Sequence, residues 1–141
     1  MNVGRTFVDT NILVYAFTSD ELQKRKKALL ALDNCITIVS TQVIREFSNT
    51  LFNKTDFGSE QVKDIIGEIT SVAEVVCEEI VMISGAIDLR EKYKYSFYDS
   101  LIISAALSSN CEILLSEDMQ NGQLIEDKLQ IVNPFMLDTL R

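Results

Sequence analysis

The chain contains no histidine. That absence removes the Ser-His-Asp triad, the Cys-His pair and any histidine acid, base or zinc ligand. Proline occurs once, at Pro134, and glycine five times, which argues against a loop-rich or all-β chain. The three cysteines, Cys35, Cys77 and Cys111, are far apart and odd in number. They suggest neither a zinc knuckle nor a disulfide framework, and are expected to be small buried residues in a reducing cytoplasm. No apolar run approaches the roughly 20 residues of a membrane span. The opening MNVGRTFVDTN has none of the apolar stretch of a signal peptide. The expectation is a soluble, cytoplasmic protein. Positive charge is scarce: 13 Lys and Arg stand against 21 Asp and Glu, a net −8. Such a chain does not hold nucleic acid by bulk charge, so an anionic substrate needs a local basic patch or a bound metal.

What is present is an ordinary globular mixture of 141 residues, 47% apolar and 24% charged. It suffices for one domain spanning 1–141. Short β-branched runs alternate with longer helical patterns. Strands are predicted at Val3–Val8, Ile36–Val39, Val75–Cys77, Glu112–Leu115 and Gln130–Val132, the last stopped by Asn133-Pro134. Thr18-Ser-Asp-Glu21 reads as a capping box before a helix carrying Leu22, Leu29, Leu30 and Leu32. Ser40 or Thr41 caps a helix with Val43, Ile44, Phe47 and Leu51 along one side. Phe57-Gly58-Ser59 breaks the chain before a helix from Gln61 to about Val72 with Val62, Ile65, Ile66 and Ile69. Glu78 to Tyr93 is helical, with Ile80, Ile83, Ile87 and Leu89 spaced for one face. Ser96 opens a helix whose body, Leu101–Leu107, is apolar on nearly every side and therefore buried. This alternation predicts an α/β fold: a parallel sheet covered on both faces, binding ligands at the C-terminal ends of its strands.

Asp9 follows the first strand directly, and Asp118 follows the fourth through Ser116-Glu117, so both belong to that edge. Each also has a plain structural reading. Asp9-Thr-Asn11 is good capping chemistry, and Asp118 is a loop carboxylate. Asp99, in Ser96-Phe-Tyr-Asp99, sits near the start of the buried helix. A carboxylate there must be paired or bind a metal, because stranding it costs several kcal/mol. Glu46 lies with Asn49, Thr50 and Asn53 on the polar side of its helix, where a solvated glutamate is the default. Taken together these acids make an all-oxygen pocket of the kind that Mg²⁺ or Mn²⁺ requires. Without a cation they repel and some take up protons. Divalent ions held this way activate a water and stabilise the leaving oxygen in phosphodiester hydrolysis.

Four segments carry a family resemblance: Phe7-Val-Asp9-Thr-Asn11-Ile-Leu, Arg45-Glu46-Phe, Ser96-Phe-Tyr-Asp99-Ser-Leu-Ile-Ile-Ser-Ala-Ala and Leu114-Leu-Ser116-Glu-Asp118-Met-Gln-Asn-Gly122. From about Val3 to Phe135 the chain resembles the PIN domain family, in particular the VapC-type toxin nucleases of prokaryotic toxin–antitoxin pairs. The resemblance implies a three-layer α/β/α fold around a central parallel sheet and a metal-dependent endoribonuclease. The family acids fall on Asp9, Glu46, Asp99 and Asp118, as direct or water-mediated ligands of Mg²⁺ or Mn²⁺, with Glu46 alternatively orienting the water. Asn11 and Ser116 fall on supporting positions. Ser116 stands where threonine is usual, a conservative departure because either hydroxyl can donate one hydrogen bond to a carboxylate. Glu117 is an alternative to Asp118 as the fourth ligand, or points to solvent; the family's spacing favours Asp118. The implied reaction is in-line hydrolysis of RNA, leaving a 5′-phosphate and a 3′-hydroxyl. A homodimer and a small antitoxin protein, filling an apolar groove and the acidic site, are implied as well.

Lys24-Arg25-Lys26-Lys27 is the only basic run. Lys24 and Lys27 are candidate contacts to an RNA backbone, with Arg45, Lys92 and Lys94 beside the motifs; a solvated helix face is the alternative. Val43, Phe47 and Leu51 with Ile65 and Ile69 are either a face spare for docking or core. Two other functional readings remain. A catalytically silent PIN-fold nucleic-acid-binding or interaction module is opposed by the four filled acid positions. A phosphatase or phospho-acceptor domain is opposed by Asn11, where aspartyl phosphatases want a second aspartate, and by the lack of a lysine after a late strand.

Overall fold

Apolar runs with little alternation become strands covered on both faces. Phe7, Val8, Ile38, Val39, Leu114 and Ile131 are all fully excluded from solvent. The computed structural model describes residues 4–136. In chain order the elements are β1 (Arg5–Val8), α1 (Thr10–Thr18), α2 (Leu22–Asp33), β2 (Ile36–Ser40), α3 (Thr41–Lys54), α4 (Ser59–Val72) and β3 (Glu74–Val76). They continue with α5 (Ile80–Tyr93), α6 (Phe97–Ser108), β4 (Ile113–Leu115), β5 (Leu124–Ile125), β6 (Leu129–Val132) and a 3₁₀ turn at Pro134–Met136. The sheet order is β3-β2-β1-β4-β6-β5. Helices flank it, giving three layers, α/β/α. All pairings are parallel except β5 with β6.

The chain leaves β1 toward β2 on one side and returns as β4 on the other, so β1 and β4 flank the switch point where such sheets bind ligands. Their ends are level: Val8 pairs with Leu115, and the Asp9 amide donates to the Leu115 carbonyl at 3.0 Å. Asp9 and Ser116 therefore leave adjacent strands side by side.

Several local expectations are corrected. Within the predicted first strand, Val3 lies outside the described residues. Asp9 opens a helix, α1, that the apolar run Ile12-Leu-Val-Tyr-Ala-Phe17 concealed. No capping box forms at Thr18: that residue closes α1, its hydroxyl donating back to the Val14 carbonyl at 2.8 Å. Helix α2 starts without a side-chain cap; Ala28 is its buried residue, while Leu22 is 76% exposed. Helix α5 buries Met82, Ala86 and Leu89 and turns Ile80 and Ile87 outward. Its small residues explain the rotation. A Cβ on Gly85 would sit 3.0 Å from the Ser104 hydroxyl of α6, which donates to the Met82 carbonyl at 2.7 Å, so α6 packs against the glycine face. Two-residue β5 is too short to signal itself in sequence.

Ser40 caps α3 through the Val43 amide at 3.3 Å. Val43, Phe47, Leu51 and Ile69 are core and not a spare docking face. Cys111 is buried and Cys35 partly so, but Cys77 is exposed; all three are free thiols. Among the described residues no helix is long and apolar enough to cross a membrane.

Candidate functional site

Asp9 adopts extended geometry as the N-cap of α1. One of its oxygens, Oδ1, accepts the Thr10 amide at 2.8 Å; the other, Oδ2, accepts the hydroxyl of fully buried Ser116 at 3.1 Å. Glu46 approaches from the second turn of α3. Its Oε1 accepts the Thr10 hydroxyl at 2.9 Å and its Oε2 the Gln42 amide at 3.1 Å. That amide also donates to the Tyr98 carbonyl at 3.3 Å, tying α3 to the start of α6. There Ser96 caps the helix by accepting the Asp99 amide at 3.1 Å. After β4, Asp118 accepts the Asn11 side-chain amide at 3.0 Å. Asp9, Thr10, Asn11, Glu46, Asn49, Thr50 and Asp118 line one cleft of about 310 Å³. Asp99 stands outside that lining, but its charge reaches it.

Burial pushes the Asp9 carboxyl up to about 6, and the charges of Asp99 and Glu46 add to the effect; the Thr10 and Ser116 hydrogen bonds oppose it. Asp99 is likewise raised, by burial first and then by Asp118 and Glu46, against the Ser96 bond. None of the four acids forms an ion pair with another described residue; those pairs lie elsewhere. Thr10, Ser116, Gln42 and Asn11 are all neutral donors, so they orient the carboxylates without cancelling their charge. An anionic oxygen set of this kind suits a hard divalent cation. Among the described residues no three acidic or cysteine side chains are grouped so as to hold a metal ion. A hard cation such as Mg²⁺ needs only one or two carboxylates and keeps several waters, and Asp9, Glu46 and Asp118 are the carboxylates that share the cleft.

Glu117 is not brought to the cleft. It accepts the Lys24 ammonium at 2.6 Å and the Tyr15 hydroxyl at 3.0 Å. Lys24 in turn touches the Tyr15 hydroxyl at 3.1 Å and lies 4.6 and 5.3 Å from the ring centres of Tyr15 and Phe135. Lys27 donates to the Phe135 carbonyl at 3.4 Å. Arg45 is mostly exposed and pairs with Glu78 at 3.0 Å, and Lys92 pairs with Glu126 at 2.7 Å. Thr10, Gln42 and Tyr15 are the site residues that sequence reasoning passed over. Gln42 carried a signal, being one helical turn before Glu46 on the same face. For Thr10 and Tyr15, only the packing of α1 against α3 and α2 reveals the partner.

A parallel α/β/α sheet with carboxylates gathered at its switch point defines the class of protein. The family model of the PIN domain matches residues 6–120, and the chain belongs to the PIN domain family. Solved structures agree on the fold. A toxin–antitoxin complex from Klebsiella pneumoniae superposes with a TM-score of 0.70 at 19% identity, over 92% of this chain and 97% of that one. VapC20 of Mycobacterium tuberculosis, a sarcin-ricin-loop-cleaving toxin, gives 0.66 at 15% identity over 80% and 89%. VapBC2 from Rickettsia felis, bound to a DNA fragment from its promoter, gives 0.62 at 20% over 81% and 88%. No curated protein matches the chain in sequence.

Proposed function

We propose that the protein is a Mg²⁺- or Mn²⁺-dependent endoribonuclease, the toxin of a toxin–antitoxin pair, acting in the cytoplasm on RNA. The observation that carries this reading is that Asp9 after β1, Glu46 of α3 and Asp118 after β4 line one cleft, with Asp99 of α6 near enough to act on Asp9 by charge, and that none of the four is paired with a cation among the described residues. Membership of the PIN family supports it, as does the likeness to toxin–antitoxin assemblies. Asp9, Asp99 and Asp118 would hold the ion directly or through its waters, with Glu46 as a further ligand or as the group that orients a water. A divalent ion there supplies Lewis acidity and an activated water for attack on a phosphodiester. The chain's own part is positioning. Ser116 and the Thr10 amide fix both oxygens of Asp9, Thr10 and Gln42 fix Glu46, and Asn11 fixes Asp118. A homodimer and an antitoxin that covers the cleft complete the proposal.

Labelled single-stranded RNA incubated with Mg²⁺ or Mn²⁺ tests it, with folded wild type beside folded Asp99→Asn. Cleavage by wild type alone, abolished by EDTA, is expected. Cleavage that survives the substitution or the chelator overturns the mechanism. Wild type that neither cuts RNA nor binds Mn²⁺ favours a silent module of the same fold.

A further inference from the structure

Glu117 and Asp118 are neighbours in sequence, yet their carboxylates go to different partners. Asp118 meets Asn11 at 3.0 Å, and Glu117 meets Lys24 at 2.6 Å and Tyr15 at 3.0 Å. Asn11 and Tyr15 are one turn apart on α1 and so lie on one face. A single helix face thus receives both carboxylates, one per turn. The Glu117 grip is partly shielded: its side chain is 23% exposed and that of Lys24 33%. Tyr15 and Phe135 meet edge to face at 4.9 Å, with the Lys24 ammonium over both rings. The main chain is held as well: the Asn133 side-chain amide donates to the Glu117 carbonyl at 3.4 Å. Lys24, from the basic run, is therefore turned onto the segment that carries an acid of the cleft.

We infer that Glu117 is a positioning residue: through Lys24 and Tyr15 it fixes the register in which Asp118 meets Asn11 and faces the cleft. The consequence for metal binding rests on the reading given under Proposed function; the geometric claim does not. Partners one step removed from a metal typically tune its affinity by about 10–100-fold. A purely stabilising ion pair would change how much protein is folded and leave the folded site alone.

Two measurements separate these. The first is the side-chain amide resonance of Asn11, assigned by its loss in Asn11→Ala and recorded without added metal. The second is Mn²⁺ affinity by calorimetry on folded protein. Glu117→Gln and Lys24→Met are each expected to shift the Asn11 resonance and to weaken Mn²⁺ binding about tenfold or more. Tyr15→Phe, which keeps the ring packing, is expected to do the same to a smaller degree, and serves if the others fail to fold. Glu74→Gln is the control. It breaks the Arg5–Glu74 pair at the start of β1, 2.9 Å long, and should alter neither readout. An unchanged Asn11 resonance in the folded variants overturns the inference. If wild type binds no Mn²⁺, the metal-site reading fails, while the Asn11 resonance still decides the role of Glu117.

Discussion

The Ser116 hydroxyl donates to Asp9 Oδ2 at 3.1 Å across 107 positions of sequence, joining the ends of the two central strands. It opposes the upward push that burial exerts on Asp9. Ser116→Ala is expected to raise the Asp9 pKa further, to destabilise the fold by about 0.5–1.5 kcal/mol and to lower RNA cleavage about tenfold or more. Ser116→Thr should keep the bond and most of the activity. Carbon-13 titration of the Asp9 carboxyl, beside cleavage rates for both variants, checks the pair; equal rates for Ala and Thr would count against it.

Asp9 itself should set a pH dependence in the absence of metal. Its folded pKa, about 6, lies above the usual 3.8. The protonated form is therefore favoured by folding: that contribution is complete below the unfolded pKa and is lost as pH rises through about 6. A shift of this size corresponds to at most about 3 kcal/mol. Asp9→Asn, which can still cap α1, should match wild type near pH 4 in EDTA and exceed it in urea stability at pH 7.5. Added Mn²⁺ should stabilise only the wild type. Equal stability of the two proteins at pH 7.5 in EDTA would sink this account.

Gln42 is 3% exposed, with its amide shared between Glu46 and the Tyr98 carbonyl. Gln42→Leu should leave one Glu46 oxygen without its donor and take from the Tyr98 carbonyl the bond it accepts beyond the helix ladder of α6, at a cost of about 1–3 kcal/mol in urea unfolding. Cleavage should fall as well, because Glu46 then retains only its Thr10 bond. Full activity in a destabilised Gln42→Leu protein would show that this acid needs no second hold.

Two glycines inside helices should respond with opposite sign. A Cβ on Gly67 in α4 meets nothing within 4 Å, whereas one on Gly85 in α5 would sit 3.0 Å from the Ser104 hydroxyl. Gly67→Ala is expected to stabilise by about 0.5–1 kcal/mol. Gly85→Ala gains the same propensity but forces α5 from α6, an overpacking cost of about 1–3 kcal/mol that should leave it net destabilised. Thermal melts of both variants decide the signs.

The strands and their acidic ends were legible because a buried parallel strand is a short continuous apolar run, and the acid closing it stands out. Helix α1 was not, since Ile12 to Phe17 is as apolar as the strand before it, and only the Asp9 cap marks the change. Thr18 misled because one residue can close a helix as well as open one. The outward turn of Ile80 and Ile87 depends on how closely α6 approaches Gly85, a fact of packing between helices. Only the family's spacing favoured Asp118 over Glu117 for the cleft; the two adjacent acids themselves gave no direction, because Glu117 meets Lys24 and Asp118 meets Asn11, each roughly a hundred positions away.

Both margins of the sheet are unusually brief. One is β3, three residues long, and the other is β5, two residues long, turned back antiparallel on β6 through Glu126 and Asp127 at φ of 52° and 56°. Unpaired strand backbone is what lets one folded chain recruit another into a growing ladder, and long flat edges are where aggregation begins. Here a stray chain finds two or three residues to pair with on either side. Edges this brief disfavour edge-to-edge stacking, so any association between copies would have to use side-chain surfaces.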